Sequence, residues 1–158
     1  CMECAMATFE LDDNLVGLML TSEIDPPEDE WERALGVLQR QIRNAKVEAE
    51  QLRLLSITQG GAPTTRQRAG LKVAFAGRHP KVSVVSAALD NPLKRGVATA
   101  IRWINPQVAF YDPLQIREAL AHLDLSHGVD HVWDACRELE LQIRPLPVVK
   151  SIGEVLRR

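Results

Sequence analysis

Val82-Ser83-Val84-Val85-Ser86-Ala87, followed by Asn91-Pro92, decides the fold class. Its β-branched, largely apolar run has the character of a strand covered on both faces, as strands of a parallel sheet are. Asn91-Pro92 then opens a helix, because Asn caps free N–H groups and Pro suits the first turn. Leu93, Val97, Ala100, Ile101 and Ile104 are expected to face inward, and Asn105-Pro106 stops the helix. The same strand-then-capped-helix unit recurs on either side. Residues 52–58 read as a strand, broken by Gln59-Gly60-Gly61-Ala62-Pro63 and followed by a helix over 63–76 with Gly77 as C-cap. Residues 108–111 read as a strand, after which Asp112-Pro113 starts a helix with Ile116, Ala119, Leu120 and Leu123 as its stripe.

Working outward, residues 8–11 and 15–21 form two short strand-like runs around the turn residues Asp12-Asp13-Asn14, an antiparallel hairpin. Asp25-Pro26-Pro27-Glu28 carries cap and first-turn chemistry for a long helix reaching about residue 50. Trp31, Ala34, Leu35, Leu38, Ile42, Ala45 and Ala49 make its apolar stripe, and Trp31, Leu35, Leu38 and Ile42 are expected to be largely buried. A further helix over 128–139 presents Val129, Val132, Trp133, Cys136 and Leu139. Beyond Arg144, a final helical turn over 151–156 is expected. Strands alternating with helices imply right-handed crossovers and a mostly parallel sheet. The expected fold is therefore α/β and single-domain, with a mostly parallel five-stranded sheet, an N-terminal antiparallel hairpin and helices packed on it. The domain spans 8–140, and 141–158 is a C-terminal extension packing on or trailing it.

The chain has 158 residues, 46% hydrophobic and 25% charged, enough to bury a core without disulfides or metal. Its net charge of -2 argues against a sequence-independent grip on nucleic acid and against electrostatic docking on anionic membranes. Three cysteines make no disulfide framework and fit a reducing cytoplasm. No secretion signal is expected, no apolar run approaches a membrane span, and a natural start upstream of Cys1 is compatible with the absence of an initial Met.

Three stretches resemble the STAS family, the fold of anti-sigma factor antagonists and of sulfate-transporter cytoplasmic domains, and within it small SpoIIAA-like bacterial proteins. They are the strand, loop and helix from Leu54 through Gly60-Gly61-Ala62-Pro63-Thr64-Thr65 to Arg68; Val84-Val85-Ser86 running into Arg95-Gly96-Val97-Ala98-Thr99-Ala100-Ile101-Arg102-Trp103; and Ala109-Phe110 followed by 116–123. Together they cover about residues 8–125. In the antagonists a phosphorylatable hydroxyl residue opens the helix after the third strand, and the resemblance carries that role to Thr64 or Thr65. It implies a non-enzymatic regulatory or protein-interaction module of the bacterial cytoplasm whose partner is a protein, with a homodimer as one form.

The residues themselves leave alternatives open. Gly60, Gly61, Thr64 and Thr65 sit where a strand's carboxyl end meets a helix start, a place that favours anions. The plainer reading is a turn plus a Thr64–Gln67 capping box. Asn91 and Arg95 open the next helix on the same side of the sheet, where open α/β sheets bind ligands, or else form a capped surface helix. Trp103 lies off its helix's stripe and is expected to pack on the first long helix, with a partner surface as the alternative. His127, His131 and Asp134 share one helix face at metal-capable spacing, but a solvated face explains them more simply. Cys1-x-x-Cys4 has no second ligand pair. No metal or other cofactor is expected, and Ser56, Ser83, Ser86 and Cys136 lie outside any nucleophile motif. The alternative function is a small-ligand or lipid binder of related α/β architecture, the CRAL-TRIO type. An enclosed apolar cavity would favour that reading, and a shallow polar crevice the regulatory one.

Overall fold

In the computed structural model, which describes residues 6–11, 16–44 and 51–158, each strand of the parallel run is paired with its neighbour in sequence. Strands β2 (Val16–Thr21), β3 (Arg53–Thr58), β4 (Lys81–Ser86) and β5 (Val108–Tyr111) lie side by side and parallel. β1 (Met6–Leu11) pairs antiparallel with β2, Met6 opposite Thr21. The class is α/β. Because the parallel strands advance in one direction, right-handed crossovers put all three connecting helices on one face. These are α1 (Glu28–Asn44), α2 (Thr65–Phe75) and α3 (Pro92–Ile104). The rest of the chain, α4 (Ile116–His122), α5 (Val129–Gln142) and α6 (Pro147–Leu156), covers the other face.

The two faces differ in how completely they are filled. Toward α4–α6, Leu18 and Leu20 of β2, Leu55 and Ile57 of β3 and Val85 of β4 join Ile116, Leu120, Leu139, Val149 and Ile152 in one fully buried cluster. Ser83 also points this way; its hydroxyl donates to the Ala119 carbonyl at 2.7 Å, which satisfies a polar group in an otherwise apolar layer. Toward α1–α3 the fully buried cluster is small: Ile42, Leu52, Phe75, Val82 and Val108. α3 contributes no fully buried residue.

Several expectations need correction. The long helix begins at Glu28, and the caps proposed for it serve other ends: the Asp25 carboxylate accepts from the Ala62 N–H at 2.9 Å and from Lys94 Nζ at 3.2 Å. Trp31 and Ile42 are buried, but Leu35 and Leu38 are only half-buried. Leu93 is 81% exposed and Trp103 85% exposed; α3 turns a second apolar stripe outward, and Trp103 does not pack on α1. The C-cap of α2 is Ala76, one position before Gly77, and both residues have positive φ. The final turn is a ten-residue helix, α6. The Asp12-Asp13-Asn14 turn, the expected continuation of the long helix over 45–50 with Ala45 and Ala49, and Cys1 and Cys4 lie outside the described residues.

Candidate functional site: an apolar cavity beneath three helices

The half-buried side chains on the α1–α3 face surround space. A cavity of about 170 Å³ lies between the sheet and these helices. Three rows of paired strand residues form its floor. Gly17, Leu54, Val82 and Val108 lie at the strands' amino ends, Met19, Ser56, Val84 and Phe110 in the middle, and Thr21, Thr58 and Ser86 at the carboxyl ends. At about 3.3 Å per residue these rows span roughly 13 Å. Ala34, Leu35, Leu38, Leu71, Val97 and Ile101 line it from the helices. The period-2 pleat of the strands and the 3.6-residue period of the helices thus aim two apolar surfaces at each other without closing the gap.

Polar groups are few along this wall, and most are already satisfied. Lys94 is the charged residue of the lining and is paired with Asp25. The Thr58 hydroxyl donates to the Gly61 carbonyl at 2.8 Å and accepts from the Gly60 N–H. The Trp31 indole N–H donates to the Gln67 carbonyl, while Gln67 Nε2 donates to the Pro26 carbonyl, which fastens the start of α1 to that of α2. Gln41 is the exception. It is 3% exposed, lines the cavity, and its Nε2 finds no hydrogen-bond partner among the described residues.

The loop singled out from sequence is occupied by the protein itself. The Gly61 N–H donates to the Ser22 carbonyl at 2.8 Å and that of Ala62 to Asp25; the Thr64 N–H donates to Gln67 Oε1. Thr64 accepts from the Gln67 N–H, completing a capping box, and the Thr65 hydroxyl accepts from Arg68 Nη2. These bonds make the loop a helix cap rather than an open anion cradle. Asn91 caps α3 through the Leu93 N–H, and Arg95 Nε donates to the Leu89 carbonyl. The structure does bring the two helix starts together: Asp25 bridges Ala62 and Lys94. Gly60 and Gly61 border the cavity; Thr64, Thr65, Asn91 and Arg95 are exposed.

Elsewhere, His131 and Asp134 are exposed on α5, while His127, also exposed, lies in the turn before that helix begins, so the three do not share one helix face. Among the described residues no group of three His, Cys, Asp or Glu side chains stands close enough to hold a metal ion. Also among them, no helix is long and apolar enough to cross a membrane. Burial, with a smaller contribution from Glu140, pushes the Cys136 thiol up to about 12. A thiol held protonated in a packed layer is a poor nucleophile. With Cys1 and Cys4 replaced by Ser, Cys136 is expected to resist an aromatic disulfide reagent at pH 8 and to react at once in denaturant. Rapid reaction in the native protein would show that the α4–α6 layer opens readily.

Sequence reasoning passed over Gln41 and Gly17 because each is ordinary in its own element. A Gln beside Arg40 reads as helix surface, and nothing local says that β2 approaches it. No family model, curated protein or solved structure matches the chain.

Proposed function

We propose that this protein binds a small apolar molecule in the cavity between its sheet and α1–α3. The observation that supports this reading is the cavity itself, about 170 Å³ with walls made almost wholly of apolar side chains. A dry apolar cavity of roughly 150 Å³ takes up benzene, so the space suits a ring or short branched chain. Water gains little there, since a water molecule needs two to four polar partners. The half-buried state of Leu35, Leu38, Val97 and Ile101 gives such a molecule apolar surface to cover. Covering it is favourable by about 25 cal/mol per Å².

Ethylbenzene is the test ligand. It is expected to raise Tm in a saturable way, since a hundredfold excess over Kd stabilises by about 2.7 kcal/mol. Ala98→Phe places a ring in the same space, and it should raise Tm without ligand and abolish the response. Equal responses from the native and Ala98→Phe proteins, or none from either, would sink the reading.

A second reading is a STAS-like regulatory module of the bacterial cytoplasm with a protein partner. Its support is the resemblance together with the exposure of Thr64, Thr65, Asn91 and Arg95 on the side where the strands end. The two readings are compatible, since a ligand beneath α3 could set how that side is presented. The test is a protein captured by the native chain whose affinity falls at least tenfold, about 1.4 kcal/mol, when Thr64 and Thr65 are replaced by Glu.

A further inference from the structure

Resting on the cavity reading, we infer that the ligand is uncharged and carries a hydrogen-bond acceptor, a carbonyl or ether oxygen, which takes a hydrogen bond from Gln41 Nε2. A primary amide donates two hydrogen bonds, and a buried donor left without a partner costs about 1–3 kcal/mol. Among the described residues Gln41 Nε2 is such a donor, on a side chain 97% buried in the wall of the cavity. A leucine or methionine would fill that position on α1 at lower cost, so the amide is suited to something the protein alone does not supply.

Its surroundings narrow the chemistry. Gly17, on the facing strand, leaves the amide room: a Cβ there would come within 3.0 Å of Gln41 Oε1 and 3.1 Å of Nε2. Gly17 belongs to the row at the strands' amino ends. Lys94, the charged residue in the lining, stands among the residues of the carboxyl ends and is engaged by Asp25. Among the described residues no cation of the lining therefore faces an anionic group beside Gln41, and a carboxylate there would be desolvated without compensation. A neutral oxygen meets the donor without that penalty, and the apolar rows of the floor accommodate the remainder of the molecule.

Ethylbenzene and acetophenone test this as a shape-matched pair differing in one oxygen. In native protein both are expected to bind, and acetophenone but not ethylbenzene should shift the Gln41 side-chain NH₂ resonances. In Gln41→Leu the ratio of acetophenone to ethylbenzene affinity should fall at least tenfold, while ethylbenzene binding holds or improves. The ligand-free variant should also melt no lower than the parent, because the orphaned donor is gone; a purely structural glutamine would give a lower Tm. An unchanged affinity ratio with unshifted NH₂ resonances overturns the inference and leaves the cavity reading standing. Failure of both compounds to bind native protein overturns both. Should Gln41→Leu not fold, the resonance shift in native protein decides alone.

Discussion

Removing residues 147–158 is expected to leave a chain with no cooperative thermal transition. Those residues form α6, and Val148, Val149, Ile152 and Val155 are each 7% exposed or less. Burying such side chains is worth about 1.5–3 kcal/mol apiece, so losing four costs at least about 6 kcal/mol. Whole domains are stable by only about 5–15 kcal/mol. The loss also uncovers Leu139 and Ile116, which share their cluster. The helix is held from outside as well as by its apolar face. It has no capping side chain of its own; Gln59 Oε1 accepts from the Val148 N–H at 2.6 Å and Glu140 Oε2 from that of Leu146. At its other end Arg117 donates to the carbonyls of Val155, Leu156 and Arg158, each at 3.3 Å. Near-ultraviolet circular dichroism and calorimetry are the measurements. A truncated chain that still melts cooperatively, within about 10 °C of the parent (roughly 3 kcal/mol at this size), would show that the α4–α5 layer suffices.

Gly61→Ala carries the next largest expected effect, a loss of about 3 kcal/mol. At Gly61 the obstacle is neighbouring backbone rather than dihedral angle. A Cβ there would lie on the Ile24 carbonyl oxygen and 2.7 Å from that of Ser22. Neither can swing aside as a side-chain end would. The loop would have to lift, breaking the Gly61–Ser22 and Ala62–Asp25 bonds that hold it down. At this chain length the Tm should fall by roughly 6–12 °C. Gly36→Ala and Gly96→Ala are the controls, since a Cβ at either helical position meets nothing within 4 Å. They should stabilise by about 0.5–1 kcal/mol, the ordinary cost of glycine in a helix. If Gly61→Ala behaves like the controls, the loop is more pliant than its bonds to Ser22 and Asp25 imply.

Legibility followed the range of the interaction. Cap signals read correctly where the partner lies two or three residues away: Thr64 with Gln67, Asp112 with Gln115, Asn91 with the Leu93 N–H. Asp25 carried the same signal but is used across the fold, 37 residues from Ala62 and 69 from Lys94, a destination no local pattern reveals. Gln41 was illegible for the same reason; its place depends on Gly17 facing it and on no acceptor among the described residues reaching its Nε2.

The order of strands and helices, the α/β class and the apolar face of most elements were legible in the chain before folding. Those follow from periodicities of 2 and 3.6 and from turn chemistry, all written within a few residues. Only the tertiary structure decided how well the apolar faces meet. Leu20, Ile57 and Val85 are fully buried against α4–α6, and a tail that read as a single turn supplies much of that layer. On the opposite side Leu35, Leu38, Val97 and Ile101 remain half-buried and line the cavity. A hydrophobic stripe records that a surface avoids water; it does not record the distance to the surface it meets. That distance comes from helix lengths, loop anchors such as Asp25 and Gln67, and side-chain volumes summed across the layer, and it separates a closed core from a cavity.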